Sequence, residues 1–435
     1  MASGILSFLE IWCIVCGEIF FITADHWRQV NMGEHTTTPQ ENSTRGLPAW
    51  LIYVIGAAIM VVAIVYTTVF SPAATTTLTT TDESRSGYLW DEGAPKKVTT
   101  AWEKEGYTNL VNTPGATIVS TSNSVQRINP DNGEALWEYS RRDATVCDIA
   151  QAWGDVVAVF NTGKGCTDIT RLDSATGEYM RQASYATDQD QARMVFGGDG
   201  HLAVVTPKLV RVLRDDLVTT AEFGDKVDYD NPESIRNCTI YDASIGPKAF
   251  TVASKCFGDD TTHITALEIE PEDSTNPKVI VDVDTKVDKP ATTPITTLAQ
   301  MQFITQTSSP SIYTWQLDKG KSEVTSHPSQ QGEYGWGSWD YPGIGYVWLI
   351  GDTLRVRYGS EDVSQITHEM TGISGYPVEA DDKILAPTYD GFVLWDTHNE
   401  SRHNIKVDTP FEGRKMSLAG DTIIGFHDGV IRAYR

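Results

Sequence analysis

Short apolar strands separated by polar turns fill the chain from about residue 95 onwards. The clearest example is VQRINPDNGEALWEYS, residues 125–140, in which two strand-like segments flank the turn Asn-Pro-Asp-Asn-Gly at 129–133. Proline presets φ, the Asn and Asp side chains bond back to the backbone, and Gly133 accepts a positive φ, so the segment predicts a tight β-hairpin. A lone hairpin is at best marginally stable in water, so other strands must cover it.

The hairpin recurs along the chain. ITRLDSATGEYMRQ, residues 169–182, repeats it most closely, with Gly177 at the position of Gly133. Further strands of the same kind end near Leu213, Leu267, Trp315, Tyr358, Trp395 and Ala433. Four short strands per repeat, at a period of about 40–45 residues, predict a β-propeller. We expect an all-β fold with eight blades over residues 95–435; seven blades are the alternative, because the 310–370 region is irregular.

Two copies resemble the pyrroloquinoline-quinone-like repeat family. In that family a strand, an Asp-x-x-Thr-Gly-type turn and a Leu-Trp-bearing outer strand recur, as in NPDNGEALW and DSATGEYM here. The domain is also similar in fold to the propeller lipoprotein of outer-membrane barrel assembly. Quinoprotein dehydrogenases with such repeats carry a vicinal cysteine pair that packs on the quinone, whereas no two cysteines are adjacent here. We therefore expect no cofactor and no enzymatic activity.

The two ends of the repeat region predict how the propeller closes. The last unit, residues 415–435, supplies three strands and lacks an outer one. Just before the first unit, VTTAWEKEG at 98–106 contains Ala-Trp-Glu, which matches Leu136-Trp137-Glu138. Residues 98–106 should therefore complete the last blade and leave no open edge between the two ends.

Four cysteines fit this arrangement as two pairs. Cys147 opens an inner strand and Cys166 follows the next strand across a turn; Cys238 and Cys256 repeat that placement two blades later. In an antiparallel pair the beginning of one strand lies beside the end of the next, so each pair is predicted to form a disulfide. Disulfides are typical of oxidising compartments, which would place the propeller outside the cytoplasm.

An uncharged apolar run precedes the repeats. Residues 49–70, AWLIYVIGAAIMVVAIVYTTVF, are long enough as a helix to span a bilayer. We therefore expect a single-pass cell-membrane protein with a cytoplasmic tail at 1–48, a transmembrane helix at 49–70 and a Thr/Ser-rich flexible linker at 71–94. The propeller would then lie outside the cytoplasm.

Residues 1–31 leave three interpretations open. They could be the product of an upstream start, with Met32 as the true first residue. Residues 5–22 could instead form an interfacial or second membrane helix, although Glu10 and Glu18 would be costly there. A functional CxxC formed by Cys13 and Cys16 is the third interpretation, but no second cysteine pair or histidine cluster lies near it.

The net charge and the lack of catalytic motifs exclude several classes of function. The net charge of −24 argues against binding to nucleic acid or to anionic lipid headgroups. No HExxH, GxSxG or P-loop motif is present, and the nine histidines are scattered singly. We therefore predict no catalytic residue and no metal site. Paired aspartates at 215–216, 259–260 and 381–382 are attributed to the solvation of turns.

An aromatic segment at 332–348 is the candidate binding site. Trp336, Trp339, Asp340 and Tyr341 would offer flat rings beside a carboxylate if they project from a loop. The alternative is that the rings pack between neighbouring blades. The expected function is a non-enzymatic scaffold for envelope or membrane proteins at the bacterial cell envelope. A receptor that binds an envelope glycan or peptide through this aromatic loop is the second hypothesis.

Overall fold

The computed structural model describes residues 49–84, 93–113, 115–185, 187, 189–197, 200–224, 237–246, 249–292, 300–305, 311–316, 321–326, 335–341, 345–357, 368–411, 413 and 415–435. For strand residues 300–346 the description covers the backbone alone. The chain divides into two units, Met1–Val65 and Tyr66–Arg435.

The apolar run near the N-terminus is helical throughout. A helix of 22 residues spans Ala49–Phe70 and a short helix, Pro72–Thr75, follows it. Among the helices of the described residues, none is found that combines the length and the apolarity needed to cross a membrane. The membrane-spanning role of residues 49–70 therefore stays a prediction. The tail at 1–48, with Cys13 and Cys16, lies outside the described residues.

The rest of the described chain is strand and turn, arranged as small antiparallel sheets. Sheet 1 contains β4 (Asn109–Thr113), β5 (Ala116–Ser120), β6 (Ser124–Ile128) and β7 (Ala135–Arg141), with β1 (Thr76–Thr79) beyond β7. Sheet 2 contains β8 (Thr145–Ala152), β9 (Asp155–Asn161), β10 (Cys166–Leu172) and β11 (Tyr179–Ser184). Sheet 3 contains β12 (Arg193–Gly197), β13 (His201–Val205), β14 (Leu209–Leu213) and β15 (Thr219–Gly224). Sheet 4 contains β16 (Cys238–Ile245), β17 (Ala249–Cys256), β18 (Thr262–Glu268) and β19 (Val279–Thr285).

The remaining sheets repeat this order. Sheet 5 contains β20 (Pro290–Thr292), β21 (Gln300–Thr305), β22 (Ser311–Gln316) and β23 (Lys321–Ser326). Sheet 6 contains β24 (Gly335–Tyr341), β25 (Gly345–Gly351), β26 (Thr353–Arg357) and β27 (His368–Thr371). Sheet 7 contains β28 (Val378–Ala380), β29 (Lys383–Thr388), β30 (Gly391–Asp396) and β31 (Ser401–Val407), with β2 (Lys97–Val98) parallel to β31. Sheet 8 contains β32 (Lys415–Ala419), β33 (Thr422–His427), β34 (Val430–Tyr434) and β3 (Thr100–Glu105).

Successive sheets pack face to face. The first strand of each sheet contacts that of the next where the contact is described: β32 with β4, β4 with β8, β8 with β12, β12 with β16, β16 with β20, and β28 with β32. Apolar clusters fill the spaces between neighbours. One joins sheets 8 and 1 through Ile424 and Val119, and another joins sheets 1 and 2 through Trp137 and Val156. Strands that bury both faces in this way form a β-propeller, in which the first strands are innermost.

The predicted closure is confirmed. Thr100–Glu105 pairs antiparallel with Val430–Tyr434 and becomes the outer strand of sheet 8. The backbone N–H of Thr99 donates to the carbonyl of Arg435 at 2.8 Å, and the N–H of Arg435 donates back at 2.9 Å. The N-terminal strand thus joins the last sheet to the first within the described residues.

A tryptophan from the preceding sheet covers the recurrent hairpin turn. Trp102 Nε1 donates to the carbonyl of Pro130 at 2.8 Å, and Trp137 Nε1 donates to that of Ser174 at 3.2 Å. Gly133 has φ of 69°, and a Cβ there would lie 2.7 Å from the ring of Trp102. Glycine is therefore required for the backbone conformation and for the close approach of the ring.

The structure differs from the expected flexible linker in part of residues 71–94. Thr76–Thr79 is a strand that pairs with β7. The buried guanidinium of Arg127 donates to the carbonyls of Glu83, Ser84 and Ala175. Threonine favours strands, and the free edge of β7 offers unpaired backbone groups. Residues 76–84 therefore belong to the propeller, outside the outer strand of sheet 1.

Candidate functional site

Both predicted disulfides are present. Cys147 bonds to Cys166 in sheet 2, and Cys238 bonds to Cys256 in sheet 4. In each sheet the disulfide lies at the end of the strands where the first strand begins. The two bonds therefore stabilise corresponding ends of the two sheets. The extracytoplasmic location inferred from them stays a prediction.

A cleft of about 490 Å³ opens beside the disulfide of sheet 4. The residues that line it are Phe223, Asn237, Ser254, Cys256, Phe257, Asp259, His263, Thr265 and Asp282. Phe223 belongs to sheet 3 and the others to sheet 4 or its loops, so the cleft lies between the two sheets. The ring of Phe257 is 88% exposed, whereas Phe223 is buried. An apolar ring thus stands in solvent beside a partly polar cleft.

Carboxylates surround the imidazole of His263. Its Nε2 lies 2.9 Å from Asp259 and its Nδ1 lies 2.8 Å from Asp284. Asp282 accepts a hydrogen bond of 2.8 Å from Thr265 Oγ1 and lies 3.9 Å from His263 Nδ1. Three partly exposed carboxylates against one imidazole give the described part of the lining a net negative charge. It suits a cationic group, and the nearby ring of Phe257 adds to that attraction.

Ser254 provides a polar group deep in the cleft. The residue is 1% exposed and lines the cleft. Sequence reasoning missed Ser254, because one serine in a strand carries no signal until the strand register is known.

Buried charges elsewhere join the innermost strands to one another. Asp148 of β8 accepts hydrogen bonds from Asn109 Nδ2 and from the backbone N–H of Met194, both at 2.8 Å. Lys415 donates to Asn109 Oδ1 at 2.5 Å. Burial raises the pKa of Asp148 and lowers the pKa of Lys415. These groups link sheets 8, 1, 2 and 3 through their first strands.

A second buried aspartate links the first strands of sheets 3, 4 and 5. Asp242 of β16 pairs with Arg193 of β12 and accepts a hydrogen bond of 2.7 Å from the backbone N–H of Thr292 in β20. Burial raises the pKa of the Asp242 carboxyl, and it is the largest of the influences on that group. Both aspartates thus bond to the first strand of the following sheet.

The four aromatic-segment residues lie in a strand and not in a loop. Trp336, Trp339, Asp340 and Tyr341 belong to β24, where Trp339 pairs with Val347 of β25. Aromatic residues favour strands, which accounts for the difference from the expected loop. Only the backbone of these four residues is described, so their part in binding stays a prediction.

The acidic pairs and the histidines form no metal centre in the part of the chain that the structure describes. Asp216 pairs with Arg214 at 2.7 Å, and Asp382 pairs with Lys383 at 2.9 Å. Only the pair at 259–260 lies at the cleft. The acidic pairs at 215–216 and 381–382 therefore lie outside the lining of the cleft as the structure describes it.

A comparison of the sequence with protein-family models and with curated proteins finds no match. Among solved structures, BamB from Moraxella catarrhalis aligns at 12% identity and a TM-score of 0.42, over 78% of this chain and 99% of that one. The dihydro-heme d1 dehydrogenase NirN, in complex with DHE, aligns at 12% and 0.42, over 83% and 86% of the two chains. The quinohemoprotein alcohol dehydrogenase from Comamonas testosteroni aligns at 10% and 0.42, over 78% and 76%. These similarities are low, and the propeller assignment rests on the order and packing of the sheets.

Proposed function

We propose that this protein is a non-enzymatic docking scaffold: an eight-bladed propeller, held at the bacterial cell envelope by residues 49–70, that binds envelope or membrane proteins. The observation that carries the docking role is the cleft between sheets 3 and 4, with the exposed ring of Phe257 at its side. Recognition sites are often loops on a rigid support, and the disulfide Cys238–Cys256 fixes this loop to its sheet. An exposed aromatic side chain is typical of an interface anchor.

The innermost strands support a non-enzymatic role. A catalytic acid or base must reach the proton that it transfers. Asp148 and Asp242 instead bond to the backbone of the following sheet, and Lys415 bonds to Asn109. Their charges are used for contacts between sheets. The two disulfides and the uncharged apolar sequence of residues 49–70 support the extracytoplasmic, membrane-anchored location.

Photo-crosslinking in intact cells tests the docking role. Phe257 is replaced by a photoreactive phenylalanine analogue, which the exposed position accommodates. Tyr179, 50% exposed on the outer strand of sheet 2, is replaced in the same way as the matched control. We expect a discrete adduct with an identifiable protein from position 257 and not from 179. Absence of any protein adduct from 257 under irradiation would count against a scaffold that docks through this cleft.

A further inference from the structure

Sheets 1 and 2 are equivalent repeats of the same hairpin. Their turn glycines, Gly133 and Gly177, lie 44 positions apart. A register shift between the third and the outer strand precedes each turn by the same number of residues. The same offset relates residues 138–141 of β7 to residues 182–185, at the end of β11 and just beyond it.

In sheet 1 this segment holds an added strand. β1 pairs antiparallel with residues 138–141. The backbone N–H of Glu138 donates to Thr79 Oγ1 at 2.9 Å, and that of Arg142 donates to the Thr75 carbonyl at 3.0 Å. Because backbone groups alternate in direction along a strand, every second residue of β7 directs its N–H and carbonyl towards β1.

In sheet 2 the equivalent segment is an exposed edge. β11 is the last strand of its sheet in the part of the chain that the structure describes. Gln182 and Ser184 are exposed, whereas the corresponding residues of β7 are half-buried beneath β1. The N–H of Tyr185 donates inward, to the Thr167 carbonyl at 2.9 Å, so the N–H groups of Ser184 and Gln182 face outward.

β11 lacks the residues that commonly protect an edge strand from pairing with another chain. Lysine, proline and clustered charges provide that protection. The outer strand β3 contains three charged residues and β19 contains two aspartates. β11 contains neither lysine nor proline, and its one charged side chain, Arg181, donates to the Asp216 carbonyl of sheet 3 at 3.3 Å. Residues 182–187 carry no charge.

We propose that the outer edge of sheet 2 receives an extended strand of a partner protein, which pairs antiparallel with residues 182–185 as β1 pairs with residues 138–141. Main-chain hydrogen bonds provide the affinity of such a contact. An uncharged edge fits an uncharged segment of strand-forming residues, of which the Thr-Thr-Leu-Thr of β1 is the example within the chain.

Two observations favour a partner strand at this place. The edge continues an interface that the chain already makes, since the segment after β1 reaches the hairpin of sheet 2, where the N–H of Thr81 donates to the Thr176 carbonyl at 3.0 Å. A second copy of the chain is a poorer occupant, because each copy has a net charge of −24.

This edge is separate from the cleft between sheets 3 and 4, so the inference goes beyond the proposed docking site and does not depend on it. Tyr179 corresponds to Ala135, which lies outside the segment that β1 covers. The partner strand therefore leaves Tyr179 uncovered.

Synthetic peptides and the purified full-length protein test this inference. The probe is a capped, fluorescently labelled peptide with the sequence of residues 74–81, ATTTLTTT, which contains β1. One control is N-methylated at the amides of Thr77 and Thr79, which face the edge in the register of β1. The matched control is N-methylated at Thr76 and Leu78, which face away. Fluorescence anisotropy gives the dissociation constants.

We expect the unmodified peptide and the control methylated at Thr76 and Leu78 to bind alike. Methylation at Thr77 and Thr79 should weaken binding about tenfold or more, because it removes two main-chain hydrogen bonds to the edge. Equal affinity of all three peptides would overturn the proposal.

A pair of variants locates the binding. Gln182→Pro removes one outward N–H and leaves the inward ladder intact, which an edge strand tolerates, whereas Gln182→Ala keeps that N–H. Gln182→Pro should weaken the unmodified peptide about tenfold and Gln182→Ala less than twofold, with thermal melting as the check on folding. Amide hydrogen exchange on the unsubstituted protein gives the location independently, since bound peptide should slow exchange at Gln182 and Ser184. Unchanged exchange there at saturating peptide would contradict the assignment.

The two proposals can fail separately. If position 257 crosslinks to a protein in cells and the three peptides bind alike, docking through the cleft stands and the edge assignment is wrong. If position 257 gives no protein adduct while the peptides differ as expected, docking through the cleft fails and the edge assignment stands.

Discussion

Sheets 2 and 4 have the same backbone arrangement but differ in the side chains that face the preceding sheet. Each has four antiparallel strands, a bulge before an inner aspartate, and a disulfide at the edge where the first strand begins. In sheet 2 the space towards the preceding sheet is closed by Phe160 and Arg141. In sheet 4 the equivalent space is a cleft bordered by Ser254 and His263. The backbone arrangement is shared, and the side chains placed on it decide how closely the described residues fill the space between two sheets.

Phe160 and Ser254 occupy equivalent positions, because each lies opposite the residue that precedes the bulge in the first strand of its sheet. Exchanging these two residues is the largest test of the comparison. Phe160→Ser should lower the free energy of unfolding by about 3–5 kcal/mol, because it removes a fully buried ring that packs on Tyr139. Ser254→Phe inserts a ring where there is room and where Phe223 is available as a neighbour, so it should change stability by less than about 1 kcal/mol. Urea denaturation measures both. A large loss from Ser254→Phe would mean that the two positions are not equivalent.

The buried guanidinium of Arg141 should stabilise the fold through its ion pairs with Asp143 and Asp168. Arg141→Met keeps the length of the side chain and leaves Asp143 and Asp168 without their partner, so we expect a loss of about 3 kcal/mol. The matched change in the cleft is Asp284→Asn, on a carboxylate that is 65% exposed, and it should cost less than about 1 kcal/mol. Similar losses from the two variants would show that the cleft charges are structural.

The disulfides should stabilise the two sheets about equally. They join residues 19 and 18 positions apart, and the entropy of closing such a loop corresponds to about 2–3 kcal/mol. Replacing each pair by serines and comparing the urea midpoints checks this expectation. If the Cys238–Cys256 variant also loses the crosslink from position 257 at unchanged secondary structure, the bond holds the Phe257 loop in position. Free thiols at these four cysteines in protein taken from cells would contradict the extracytoplasmic location.

Much of the strand arrangement could be predicted from the sequence, because it depends on patterns that repeat along the chain. The period of the hairpins, the strand at 98–106 that completes sheet 8, and both cysteine pairs follow from spacing alone. The strand Thr76–Thr79 could not be predicted, since it attaches through backbone groups and its threonines carry no apolar pattern. The cleft could not be predicted either, because relating Ser254 to Phe160 requires the position of a bulge in each first strand. The strand placement of Trp336 and Trp339 shows that glycine between aromatic residues does not define a loop.

The first strand of sheet 7 adds a weaker, pH-dependent test of how inner carboxylates are used. Glu379 lies in β28, and burial, followed by the charge of Asp381, raises its pKa to about 7. The folded protein therefore holds this proton more tightly than the unfolded chain, whose value is 4.5. Stability from this group is fully present below about pH 4.5 and falls as the pH rises to about 7.

Glu379→Gln removes that titration, so relative to the parent protein the variant should gain stability between pH 5 and pH 8. Because the side chain is partly exposed and solvent screens it, we expect a gain of about 1 kcal/mol and not the larger value that the full pKa shift would give. Asp148→Asn serves as the comparison, since that carboxylate bonds to the neighbouring sheet and its loss should destabilise the protein at both pH values. Urea midpoints at the two pH values measure the effect. A stability difference between Glu379→Gln and the parent that does not change with pH would place Glu379 among the bonded carboxylates, with Asp148 and Asp242.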